Sequence, residues 1–250
     1  MNRSRRPARL THHPPIPVYY RLQELVLKEI ESGKLQPGSM IPTERQLVES
    51  YGVSIGTVKK AILNLVHQGF LYRIQGKGTF VTGTTLRRES LRYYRLLESF
   101  DGIESNLAVK PLQLKRVPGF HPASRLLGIR ADQPLFELKR IFLLEGSPVV
   151  YSISYLPQNL FKRLDEYPSD EFEKKPLYAA IEEKYGLPTI SNRELISAAF
   201  PSREAAEALG IPKTVPVLYM EMLAFTYRKR PYEYRRAYCL TAERKVFREY

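Results

Sequence analysis

From residue 18 to residue 32 the apolar residues Val18, Leu22, Leu25, Val26 and Ile30 recur at intervals of three and four, and Gly33 ends the run. That is the period of a helix with one buried face. Leu35-Gln36-Pro37-Gly38 follows as a turn, and Thr43 with Gln46 three residues on forms a capping box that opens a second, short helix reaching about Tyr51. Gly52 closes it. Ser54 or Thr57 caps a third helix, whose apolar positions Val58, Ala61, Ile62, Leu65 and Val66 again keep the helical period until Gly69. Residues 70–74 and 79–81 are β-favouring runs joined by Gly76-Lys77-Gly78, a pattern that predicts a hairpin.

Residues 82–95 have no strong period and are rich in Thr and Arg, as a linker would be. Beyond them the pattern changes to short β-favouring runs separated by Pro and Gly, which predict strands near 112–117, 135–144, 149–156, 194–200, 217–225 and 232–240. Helical patterns fall at 123–127, 177–185 and 203–209. This mixture predicts an α+β domain with an antiparallel-rich sheet. Residues 1–15 hold four arginines and paired prolines but too little apolar content to pack, so they read as a flexible basic arm. The expected organisation is an arm at 1–15, a DNA-binding domain at 16–82, a linker at 83–95 and a second domain at 96–250.

Charge sharpens this division. The 250 residues carry a formal net charge of +13, and residues 1–85 hold twelve Lys/Arg against five Asp/Glu, so the basic end is the front end. A basic face suits a polyanion. Two short helices across a tight turn, followed by a Gly-containing hairpin, together describe a winged helix-turn-helix whose second motif helix enters the major groove of double-stranded DNA.

Other chemistry is thinly supported. The lone Cys239 cannot form an intramolecular disulfide, and no apolar run approaches the roughly 18 residues of a membrane span. Residues 1–15 lack the apolar core of a signal peptide, so the expected location is cytoplasmic. His12, His13, His67, His121 and Cys239 do not fall at metal-ligand spacing, and neither a metal site nor a cofactor is expected. Gly76-Lys77-Gly78-Thr79 lacks the full spacing of a phosphate loop and the helix that should follow it, which rejects nucleotide hydrolysis.

The blocks Pro17-Val18-Tyr19-Tyr20, Gly33 to Gly38, Ile41-Pro42-Thr43-Glu44-Arg45, Tyr51-Gly52-Val53-Ser54, Thr57-Val58-Lys59 and Gly76 to Val81 together resemble the DNA-binding domain of the GntR family of bacterial transcription regulators. The resemblance implies that Arg45, Ser54, Gly56, Thr57 and Lys59 face DNA and that Gly76 and Lys77 bring the wing to a groove. Two positions depart from the family pattern, which commonly has Arg where this chain has Ile55 and Lys59. Losing a bidentate guanine reader points to a different operator. Lys60 and Arg73 read as ordinary exposed charges.

The second half resembles the UTRA ligand-sensing domain of the HutC subfamily, whose fold is like that of chorismate lyase. The likeness runs through Leu135 to Arg140, Gly146-Ser147-Pro148-Val149, Ser154-Tyr155-Leu156-Pro157, Leu177-Tyr178, Tyr185-Gly186-Leu187, Ala205 to Gly210, Pro216-Val217-Leu218 and Pro231-Tyr232-Glu233-Tyr234. It implies a small-molecule effector pocket lined by Phe100, Asp101, Arg140, Phe142, Ser152, Pro176, Tyr178, Glu233, Tyr238 and Cys239. Arg140 would hold an anionic group, Glu233 would accept from hydroxyl or amine donors, and Tyr178 would stack or donate. Members that sense phosphosugars tend to have a second Arg where Phe142 stands. That departure, with the carboxylate of Asp101, predicts a less charged or partly apolar effector.

The expected function is a ligand-responsive repressor acting as a homodimer on a palindromic operator. An alternative is a chorismate-lyase-like enzyme acting on a small acid through Arg140 and Glu233. A third is an architectural DNA binder with no effector. Saturable binding without turnover separates these.

Overall fold

The computed structural model describes residues 16–83, 96–97, 107–168, 171–241 and 245–246. The chain divides into two compact units, residues 1–86 and 87–250. The expected arm at 1–15, nearly all of the expected linker, and Phe100 and Asp101 lie outside the described residues.

In the first unit, helices α1 (Val18–Glu31), α2 (Glu44–Tyr51) and α3 (Ile55–His67) precede a hairpin of β1 (Leu71–Ile74) and β2 (Gly78–Val81). The helical stripes do what their spacing requires: Leu22, Val26 and Ile30 of α1 are buried, as are Val58, Ala61, Ile62 and Leu65 of α3. Each buried Leu, Ile or Val among them contributes roughly 1.5–3 kcal/mol by leaving water, and Ala61 less. Thr43 and Gln46 form the reciprocal capping box at the start of α2, and Ser54 caps α3 by accepting from the Thr57 amide. In the hairpin Leu71 pairs with Val81 and Ile74 with Gly78, while Met40 adds a bridge to Phe80. Gly78 has φ of +134°, a conformation that other residues rarely adopt, so the wing needs glycine there on conformational grounds.

In the second unit, β3 (Leu96–Leu97) pairs with β10 (Lys245–Val246). The main sheet comprises β4 (Ala108–Val117), β5 (Leu135–Leu144), β6 (Ser147–Pro157), β7 (Ser191–Ala199), β8 (Val217–Phe225) and β9 (Pro231–Cys239). Its order is β4-β5-β6-β9-β8-β7, with every neighbouring pair antiparallel. β4 begins four residues before the predicted start and contains Pro111, which is tolerated because β4 is an edge strand. Helices α4 (Ala123–Leu126), α5 (Glu171–Lys174), α6 (Leu177–Tyr185) and α7 (Arg203–Leu209) complete the unit. The four-residue α5 is too short to leave a period in the sequence.

Strand alternation gives this sheet two buried faces. On one face Phe136, Leu138, Phe142, Val150 and Met222 pack with Leu177 and Ile181 of α6. On the other, Leu135, Ile141, Tyr151 and Ile153 pack with Ala123 of α4 and with Ala205 and Leu209 of α7.

After β4 the chain passes Gly119, where a Cβ would lie 2.4 Å from the Ala131 carbonyl oxygen and 2.6 Å from that of Gln133. Because those atoms are backbone, Gly119→Ala is expected to destabilise the chain by about 3 kcal/mol, read as a lowered midpoint in urea. An unchanged midpoint would show that this crossing is not tightly packed.

Candidate functional site

The start of α3 is an exposed, polar helix end. Ser54 Oγ accepts from the Thr57 amide at 3.2 Å and lies 2.9 Å from Thr57 Oγ1, so the two hydroxyls are held together at the first turn. A Cβ on Gly56 would meet nothing within 4 Å, which leaves open space over this turn. Ile55 is 45% exposed beside it. Arg45, Lys59, Gly76 and Lys77 are exposed as well, and no ion pair joins Arg45, Lys59 or Lys77 to another described residue. Two neighbouring cations are engaged instead: Arg73 Nη2 donates to Glu44 Oε1 at 2.8 Å, and Lys60 Nζ lies 4.2 Å from the centre of the Tyr19 ring. The wing turn and the start of α2 flank a cleft of about 610 Å³, lined by Thr43, Glu44, Arg73, Gly76 and Lys77 among others.

A second polar group is buried in the other unit, on the sheet face that packs against α6. Arg140 of β5 stands opposite Ser152 of β6, which stands opposite Ala237 of β9. Glu233, Arg235, Ala237 and Cys239 follow one another at two-residue steps along β9, which puts Glu233 and Arg235 on the same face as Arg140. Arg235 Nε donates to Glu233 Oε1 at 2.9 Å and to Ser154 Oγ at 3.2 Å, and its Nη2 donates to the Tyr178 hydroxyl of α6. Arg140 Nη2 donates to the same Ser154 hydroxyl at 3.1 Å and lies 4.0 Å from Glu233 Oε1. All five side chains are buried. Among the described residues, the second carboxylate oxygen of Glu233 and the Ser152 hydroxyl are buried with no hydrogen-bond partner.

Burial alone would push the Glu233 carboxyl up, but Arg235 and Arg140, with hydrogen bonds from Ser154 and Arg235, outweigh it and hold the group below its ordinary value.

The structure therefore brings together Arg140, Phe142, Ser152, Tyr178 and Glu233. It does not bring Tyr238 to them. Tyr238 stands five residues from Glu233 on β9, so alternation sends it to the opposite face, where its ring centre lies 5.1 Å from that of Tyr219. Cys239 returns to the Arg140 face beside Met220, while Pro176 is an exposed residue that caps α6. Arg235 and Ser154 were not foreseen. Both follow from the period of two, counted on from Glu233 and from Ser152.

Two family models match the chain: the UTRA domain over residues 105–243, and the bacterial regulatory proteins of the gntR family over residues 18–81. The chain is a GntR-family transcription regulator with a UTRA domain. Over 86% of its length it is 28% identical to an HTH-type transcriptional regulator, YurK of Bacillus subtilis, covering 88% of that protein. The HTH-type transcriptional repressor NagR of the same organism is 26% identical over 88% of this chain and 89% of its own. MngR of Escherichia coli, a mannosyl-D-glycerate transport/metabolism system repressor, is 25% identical over 88% of this chain and 90% of its own. PhnF of Mycobacterium smegmatis shares the fold, with a TM-score of 0.53 at 18% identity over 90% of this chain and 97% of that one. A ligand-binding domain from Bordetella bronchiseptica matches with a TM-score of 0.58 at 24% identity, over 64% of this chain and 98% of its own. Relatives that are regulators support DNA-binding regulation over catalysis. Among the described residues of this regulator, no helix is long and apolar enough to cross a membrane.

Two buried guanidinium groups around one carboxylate make Glu233 a stabilising counter-charge. Glu233→Gln is expected to destabilise the regulator by about 3 kcal/mol at pH 7, since it leaves both cations uncompensated. The sign with pH follows from the lowered folded value. The contribution is fully present above the unfolded carboxylate value of about 4.3 and is lost as pH falls through the folded one. Urea titrations should show the gap between wild type and Glu233→Gln closing on acidification; a gap independent of pH would assign the loss to packing.

Proposed function

We propose that this regulator is a repressor that binds a palindromic operator as a homodimer and leaves it when a small anionic metabolite enters the UTRA domain. The observation that carries this reading is the buried group of Arg140, Arg235 and Glu233, with an unsatisfied carboxylate oxygen and the unsatisfied Ser152 hydroxyl beside it. Unpaired buried polar atoms are costly, and a ligand with hydroxyl or amine donors would satisfy them. Two guanidinium groups and one carboxylate sum to a single positive charge, which suits a monoanion such as a carboxylate better than a dianionic phosphate. Arg235 brings a second cation to this group, which supports an effector with an anionic group. The protein returns this effector unchanged and acts in the cytoplasm.

On the DNA side, Ser54 and Thr57 at the amino end of α3 suit phosphate oxygens, Gly56 admits the close approach of backbone, and Lys59, Arg45 and Lys77 are free to reach phosphate or guanine edges. Ile55 offers an apolar surface to a thymine methyl group. Ile55→Arg should therefore move preference toward guanine at one position of each half-site, read by a binding-site selection experiment.

Fluorescence anisotropy on the gene's own upstream DNA, against scrambled DNA and across a salt series, tests this reading. Lys59→Ala and Lys77→Ala should each lower the slope of log affinity against log salt by about two, because each removes one phosphate contact from each protomer of the dimer. Lys60→Ala and Arg73→Ala, already engaged within the protein, should leave it nearly unchanged. Equal, weak and steeply salt-dependent binding to both DNAs, with no response to carboxylate metabolites, would contradict the proposal.

A further inference from the structure

The two edges of the six-stranded sheet are built differently. β4, at one edge, carries Lys110, Pro111, Lys115 and Arg116, shifts register between Pro111 and Gln113, and has α5 packed against it. Charge, proline and a bulge are the devices by which a sheet edge refuses a further strand. β7, at the other edge, has its only charges, Arg193 and Glu194, in its first half: Leu195-Ile196-Ser197-Ala198-Ala199-Phe200 contains neither charge nor proline, and the strand keeps an unbroken register with β8. Leu195 is 72% exposed, Ile196 49% and Phe200 69%. A long, apolar edge left open invites pairing with another strand.

We infer that β7 is where two copies of this chain join, antiparallel and centred on Ser197, so that two six-stranded sheets become one. The inference rests on the homodimer proposed above and adds its interface. A two-fold axis normal to the sheet must pass beside a residue that faces its own copy, because opposed residues share a face. Centred on Ser197, Leu195 of one copy meets Ala199 of the other on the face carrying Tyr219, and Ile196 meets Ala198 on the face carrying Met220. Within residues 195–199 every large side chain then lies opposite a small one, and Glu194 meets Phe200 just beyond. Centred on Ile196, the bulky Ile196 would oppose itself and Glu194 would face an alanine. The size pattern selects the Ser197 register, and an edge complementary to itself fits a second copy better than an unrelated partner.

Cysteine cross-linking and sedimentation of the full chain test this. In the proposed register the two Ser197 Cα atoms lie about 5 Å apart, within disulfide range, whereas two Leu195 Cα atoms lie about 14 Å apart. Ser197→Cys should cross-link on mild oxidation and Leu195→Cys should not, while the native Cys239 stays buried. Leu195→Arg should weaken self-association at least 100-fold, with its secondary structure and melting unchanged as a check on folding. A dimeric wild type in which Ser197→Cys fails to cross-link, or cross-links no better than Leu195→Cys, overturns this interface and leaves the repressor reading standing. A wild type that stays monomeric, on operator DNA as well as free, overturns both the interface and the two-fold reading.

Discussion

A carboxylate and two guanidinium groups share the interior of the UTRA domain, and taking ions out of water costs several kcal/mol each unless they are paired and hydrogen-bonded. Much of that domain is arranged around this constraint. Ser154 accepts from both arginines, Tyr178 reaches down from α6 to Arg235, and Glu233 holds a charge between them. The neighbouring side chains on the same face, such as Leu138, Phe142 and Met222, are apolar and exclude water. A sheet that needed only to fold could fill these positions with aliphatic residues at little loss. Keeping them charged, with polar atoms still unsatisfied, is the feature on which the proposed effector site rests.

The DNA-binding unit depends on a different economy. α1 and α3 are held by buried stripes, and the helix-turn-helix by well-defined ends: the Thr43–Gln46 box on α2, the Ser54 cap on α3 and the left-handed Gly52 between them. The cap that fixes α3 also gathers two hydroxyls at the end a phosphate would meet, so local stability and the proposed surface for DNA draw on the same residues. Cations around this surface fall into two groups. Those paired within the protein, Arg73 and Lys60, shape the wing and the helix packing, and the exposed Arg45, Lys59 and Lys77 are left for a partner.

Much of this was legible in the residues. Amphipathic periods located α1, α3, α6 and α7, the turn chemistry located the wing, and β-favouring runs located the strands of the main sheet to within a few positions. What escaped did so for physical reasons. The four residues of α5 complete barely one turn, and Pro111 disguised the start of β4 because an edge strand needs no donor on its open side. For the proposed effector site, resemblance named Arg140, Tyr178 and Glu233, which the fold assembles, and also Tyr238, which alternation turns to the opposite face. The same alternation, followed from Glu233, leads to Arg235. Strand period tells which of these side chains share a face, and that is what likeness of motif leaves out.

Reciprocal coupling between the two units is the central claim, and it is best tested by measuring one thermodynamic box. Effector affinity, read by calorimetry on the protein alone and on the protein saturated with operator, gives one factor; operator affinity with and without effector gives the other. The account predicts that operator weakens effector binding by the same factor as effector weakens operator binding, and that this factor lies well above one. A factor of one on both sides, with both ligands bound, would mean that the UTRA site and the winged helix are uncoupled and would contradict a ligand-responsive repressor.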